Sequence, residues 1–201
     1  MKPFRDWLHM TLPALLFIAL RLAFRWAATV VAHGMEGDSS LIPLAAEALA
    51  LTAAIGLAAR LCPDEIAFAN RLRACDGRCI AQCVAAGTAA GLLALWLSSR
   101  LGIRDVGQRG ILPFANVCLL GPIAEEIVYR ALVFERGKGF MPWKASLLAS
   151  SLIFAVSHAT PPKMLLAAGA GVLLGWVKQQ KKAVLAPILI HGIMNGIQYL
   201  L

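Results

Sequence analysis

Three short patches put ionisable or amide groups inside apolar stretches, and they are the residues best suited to chemistry. They are Glu125-Glu126-Ile127-Val128-Tyr129-Arg130, then Phe154-Ala155-Val156-Ser157-His158, then His191-Gly192-Ile193-Met194-Asn195. Polar groups within membrane-length apolar runs are expensive, so function is the first hypothesis for them. Glu126 and Arg130 stand at i, i+4 with the acid on the N-terminal side, the favourable order for a helical ion pair. Glu125 is turned about 100° away around the same helix and points elsewhere. His191 and Asn195 are also i, i+4 and share one face.

The chemistry open to this set is the activation of water. A glutamate in a low-dielectric site can act as a general base. A histidine beside it can share the water or protonate a leaving amine. A second histidine and an asparagine amide can stabilise an oxyanion. Together these groups suffice for amide hydrolysis without a covalent intermediate. Taken singly, each patch has a blander explanation. A membrane histidine more often bonds two helices together, and a Glu–Arg pair more often serves as structural glue. Three such patches in one small chain make that explanation much weaker.

The elements that must position these residues follow from hydropathy. The chain has 201 residues, 59% hydrophobic and 15% charged, against about 25% charged in an ordinary soluble domain. Its apolar residues fall into seven segments, at about 8–33, 40–61, 79–99, 111–134, 142–160, 163–178 and 183–201. Most approach the ~20 residues that cross a hydrocarbon core. The expected fold is therefore all-α, a polytopic transmembrane bundle of about seven helices. Residues 1–201 form a single membrane domain, with N-terminal helices over 1–110 and the chemical core over 111–201. Lys2 and Arg5 precede an apolar run too long for a signal peptide, which reads as a retained first span. Gly121-Pro122 should break one helix and start the next, with both glutamates near its first turn and towards the outer side.

Charge sets orientation. With the N-terminus inside, the inner segments hold Lys2, Arg5, Arg60, Arg71, Arg73, Arg78, Arg136, Lys138, Lys144, Lys178, Lys181 and Lys182. The outer ones hold Arg100, Arg104, Arg109 and Lys163. Twelve against four favours a cytoplasmic N-terminus. The same clustering between apolar runs argues against nucleic acid as a partner despite the net charge of +8; the lipid bilayer is the partner it indicates. Arg21 and Glu47 fall at similar depths in the first two spans and are expected to pair, with Arg25 reaching outward. Gly87–Gly91, Gly171–Gly175 and Gly192–Gly196 are GxxxG pairs that let helices approach closely. The five cysteines, Cys62, Cys75, Cys79, Cys83 and Cys118, are odd in number and make no disulfide framework. Cys75, Cys79 and Cys83 form a helical stripe of reduced thiols. Cys118 sits near the expected cavity, where it is either a small apolar filler or a nucleophile.

The three patches, in the order EExxxR, FxxxH and HxxxN, resemble the signature of the CPBP family of intramembrane proteases, which includes the CAAX prenyl endopeptidases and bacteriocin-processing proteins. The resemblance covers about residues 111–201. It implies that Glu125 is the general base with His158 on one water, and that His191 and Asn195 form the oxyanion site. Glu126 and Arg130 would support that site. The family is regarded as glutamic, which implies no metal and no cofactor, and the HExxH zinc motif is absent here. A zinc site from Glu125, His158 and His191 stays chemically open. The substrate implied is a membrane-anchored protein or peptide, met at a bacterial inner (plasma) membrane. A sorting signal or propeptide of an exported protein fits an outward-facing site, as in the myxosortase-type relatives; a prenylated CAAX protein would need a cytosolic opening. Two other classes stand beside the protease: a non-enzymatic immunity or scaffold protein, and a transporter using Glu125 and His158 as a proton relay.

Overall fold

The computed structural model describes residues 2–33, 41–61, 76–103, 110–158 and 160–201. Among these it is all-α, with seven helices: α1 (Lys2–His33), α2 (Leu41–Leu61), α3 (Gly77–Arg100), α4 (Ile111–Gly137), α5 (Trp143–Val156), α6 (Pro161–Lys181) and α7 (Leu185–Leu200). The seven apolar segments read from hydropathy each become one of them. Three stretches, Phe4–Phe24, Gly77–Arg100 and Ile111–Gly137, are long and apolar enough to cross a membrane. Local chemistry sets several ends. The Asp76 carboxylate accepts from the Cys79 N–H at 2.8 Å and caps α3, satisfying a donor that the first helical turn leaves free. Pro161 and Pro162 open α6, where a missing N–H costs nothing. Lys182 ends it in the left-handed region, at φ 50°.

α4 runs through the middle of the bundle and packs against α1, α2, α5, α6 and α7. Here the structure corrects the expected break at Gly121-Pro122. The helix continues through it, because the turn Asn116–Leu120 is π-helical and the Gly121 N–H reaches back to the Asn116 carbonyl. Widening the turn shifts the hydrogen-bond register just before the residue that has no N–H to give. A second π stretch, Ile127–Phe134, follows the two glutamates, and all eight of its residues are buried. Counting from Ile111, Glu125 therefore lies mid-helix rather than in a first turn: about 21 Å from one end and 18 Å from the other at 1.5 Å per residue.

Close helix approach is visible at the glycines. α3 lies along α7. A Cβ on Gly87 would stand 2.9 Å from the Ile193 Cβ, so only glycine allows that spacing. A Cβ on Gly192 would stand 2.6 Å from the Cys118 carbonyl oxygen, which brings α7 directly against the π turn of α4. The main core, around Met10, Phe17, Ala124, Tyr129, Val133 and Phe154, is built from α1, α2, α4, α5 and the Ala167 face of α6. Cys79, Cys83 and Cys118 are buried free thiols. Cys62, Cys75, Arg71, Arg73, Arg104, Arg109 and the side chains of Arg25 and Glu47 lie outside the described residues, so the expected Arg21–Glu47 pair does too.

Candidate active site

α4 presents its two adjacent carboxylates in different directions, as successive helical positions must. Glu126 is fully buried and faces α7 and its own next turn. Its Oε2 lies 3.0 Å from Arg130 Nε, and its Oε1 accepts from His191 Nδ1 at 2.8 Å. The Arg130 contact lacks hydrogen-bond alignment, leaving both of those atoms without a hydrogen bond; charge holds the pair at that distance. Arg130 also donates to the Gly171 carbonyl at 3.4 Å and lies over the Phe154 ring at 4.6 Å. The EExxxR spacing thus forms the i, i+4 pair read from the sequence.

Glu125 faces the other way. Its Oε1 accepts from Arg21 Nη1 of α1 at 2.6 Å, and its Oε2 lies 3.7 Å from His191 Nε2. His191 therefore sits between both glutamates. Because the Glu126 carboxylate can only accept, the ring proton in that contact is on Nδ1. Nε2 is then the edge that looks towards Glu125.

His158 follows the last turn of α5. Its Nδ1 is 3.1 Å from the Phe154 carbonyl oxygen, and its ring meets the Phe154 ring edge-on at 4.9 Å. The Phe154 ring also carries His191 edge-on at 5.9 Å and Tyr129 at 5.1 Å. One aromatic ring thereby spaces both histidines and the arginine.

Glu125, Glu126, Arg130, His158 and His191 are brought together in this way. Asn195 stands apart from the carboxylates: its Nδ2 donates to the Val117 carbonyl in the π turn of α4, at 2.9 Å. Two residues were given no place at the site from the sequence. Arg21, read there only as a structural cation in the first span, contacts Glu125 directly. Tyr129 is fully buried, one helical turn beyond Glu125; its hydroxyl makes no hydrogen bond, although Ser157 is beside it. An i+4 count from Glu125 would have found it. Among the described residues no group of three His, Cys, Asp or Glu side chains is set to hold a metal.

Residues 107–197 match the type II CAAX prenyl endopeptidase Rce1-like family. The chain is 32% identical over 93 residues to the candidate membrane peptidase YdiL of Bacillus subtilis (strain 168), a stretch covering 46% of this chain and 38% of that protein. It is 30% identical over 86 residues to the membrane-embedded CAAX protease MroQ of Staphylococcus aureus (strain USA300), covering 40% of this chain and 35% of the relative. The chain thus matches well under half the length of either relative. No solved structure matches it. The apolar helices and these membrane relatives mark an integral membrane protein, and the stretch that carries both glutamates, both histidines and Asn195 is the one similar to the Rce1-like CAAX protease family.

Proposed function

We propose that the chain is an intramembrane endopeptidase that hydrolyses a peptide bond of a membrane-anchored protein by glutamate- and histidine-activated water. The observation that carries this reading is the placement of His191 between two carboxylates, 2.8 Å from Glu126 and 3.7 Å from Glu125, in the middle of a buried helix. Glu125 takes the proton of the attacking water, with His158 on the other side of that water. The proton passes to the leaving amine as the tetrahedral intermediate collapses. His191, aligned by Glu126 through Nδ1–H, donates to the developing oxyanion from Nε2 in its doubly protonated form, together with Asn195; Asn195 would have to exchange its Val117 contact for the substrate. Glu126 and Arg130 hold the ring of His191 in place. No metal and no cofactor enters this scheme.

The site opens to the outer face in this reading, with the N-terminus cytoplasmic in a bacterial inner membrane. The loop charges support that orientation. The short α5 supports it as well. Its 14 residues span about 21 Å, less than the ~30 Å hydrocarbon core, so the turn at His158 stops short of the outer face. A substrate cut there is a C-terminal sorting signal or propeptide of an exported protein. The alternative is a CAAX prenyl-protein endopeptidase, favoured by the family description and the staphylococcal relative's name.

The test is cleavage in cells of tagged membrane-anchored candidates, with sorting-signal and prenylated substrates side by side. Wild type is compared with Glu125→Ala and His158→Ala at verified expression. A shorter product lost in both variants supports the reading, and the substrate cut names the class. Undiminished cleavage by folded Glu125→Ala would refute it.

A further inference from the structure

The partner of Glu125 comes from outside the matched domain. Arg21 belongs to α1, in the N-terminal half, while the family match begins at residue 107. Its guanidinium reaches Glu125 Oε1 at 2.6 Å, and the other carboxylate oxygen is the one turned to His191. Neither group sits in open water: the side chains retain 20% and 12% of their exposure. A packed aromatic path supports the same guanidinium. It lies over the Phe17 ring at 5.3 Å, Phe17 meets Tyr129 at 6.3 Å, and Tyr129 meets Phe154, the ring that carries both histidines. Arg21 is thus fixed with respect to the site by van der Waals contact as well as by charge.

We propose that Arg21 is a positioning residue of the reaction: it holds Glu125 as a carboxylate and fixes Oε1, so that Oε2 alone is presented to water beside His191. The inference rests on Glu125 being the base. Three physical consequences follow from the geometry. A lone carboxylate at mid-membrane is costly, and an adjacent guanidinium offsets that cost. A guanidinium is also charged under all working conditions, so the clamp is not lost by deprotonation of Arg21. Engaging one oxygen and not the other orients the carboxylate, and a base that must rotate into place loses the benefit of prior alignment. The Rce1-like domain is accordingly incomplete without α1, and the N-terminal helices contribute to the chemistry rather than only to anchoring.

The experiment uses the full chain in bicelles, with Arg21→Gln, Arg21→Lys and Glu125→Gln beside wild type. Two readouts are taken on protein whose thermal unfolding shows it to be folded. One is kcat and KM for a cleaved substrate. The other is the infrared band of the ionised Glu125 carboxylate, identified by its disappearance in Glu125→Gln, which needs no substrate. Arg21→Gln is expected to lower kcat about 10- to 100-fold, up to the lower bound of a full general-base contribution, to leave KM within about twofold, and to lose the carboxylate band. Arg21→Lys is expected to keep the band and recover to within about fivefold of wild type. A folded Arg21→Gln with the band and rate of wild type overturns the proposal. Should Arg21→Gln not fold, Arg21→Lys decides: band and rate kept support it, and either one lost in a folded protein overturns it. Cleavage that survives in Glu125→Gln while the band still depends on Arg21 would instead remove Glu125 from the base role and leave the ion pair intact.

Discussion

Replacing Arg130 with methionine should be among the most damaging single changes in this chain. The side chain is 1% exposed and its partner Glu126 is 0% exposed. Methionine fills much of the volume but removes the cation 3.0 Å from Glu126, the donor to Gly171 and the charge over Phe154. Removing one member of a buried pair costs about 3–5 kcal/mol, chiefly because the other charge is left uncompensated. A bilayer-embedded reference state, in which polar groups find other partners, moves the expectation to the lower end, about 3 kcal/mol. The double variant Glu126→Gln/Arg130→Met removes both charges and still leaves a side-chain amide oxygen to accept from His191 Nδ1. It should recover at least half the loss, a coupling of about 1.5–2.5 kcal/mol in a double-mutant cycle. The assay is SDS-driven unfolding in mixed micelles followed by tryptophan fluorescence. A loss below about 1 kcal/mol in Arg130→Met, or a double variant equal to the sum of the singles, would refute the view that charge rather than packing holds this pair.

Three further outcomes follow. Gly192→Ala puts a methyl group against the Cys118 carbonyl, so α7 must shift away from α4; about 1–3 kcal/mol of stability and most hydrolysis should be lost, and unchanged values in the same two assays would show the spacing to be unimportant. Cys118→Ala should keep hydrolysis within about twofold, since its thiol is buried beside Gly196 in the manner of a small apolar filler; abolished cleavage in folded protein would make it a nucleophile. Chelation with EDTA or phenanthroline should leave cleavage unaltered, and inhibition reversed by zinc would convert the glutamate–histidine site into a metal site.

The helices were legible because each apolar run is bounded by charge, glycine or proline, and the bilayer sets a single length scale for all of them. The i, i+4 pairing of Glu126 with Arg130 was legible for a related reason: spacing alone decides it. What could not be read was whatever depends on the register between helices. Gly121-Pro122 looks like a break, yet a π turn absorbs it, and nothing in Asn116–Leu120 announces a widened turn. Arg21 was visible as a cation needing a partner, but its contact with Glu125 depends on the rotation of α1 about its axis, which an apolar surface on all sides leaves unspecified. Asn195 was placed on the face of His191 correctly by spacing. Its bond to Val117 depends on the π turn and so was hidden with it.

The adjacency of Glu125 and Glu126 is itself the feature that needs explaining, since two acids side by side in an apolar helix double an already large cost. The structure meets that cost by divergence. Successive positions point about 100° apart, so each carboxylate meets a different neighbour and a different arginine: Arg21 from α1 for Glu125, Arg130 from the next turn of α4 for Glu126. With each acid matched by its own cation, His191 is the group both carboxylates share, and its two nitrogens address one each. The asymmetry between those contacts is what separates the roles proposed for them. Glu126 holds Nδ1 at hydrogen-bond distance and is fully enclosed, which suits orientation. Glu125 stands 3.7 Å from Nε2 and keeps some exposure, which leaves an oxygen with room for a reacting partner. A structural pair of salt bridges would have no need of that second, looser contact. It is the reason a water-activating role fits Glu125 and not its neighbour.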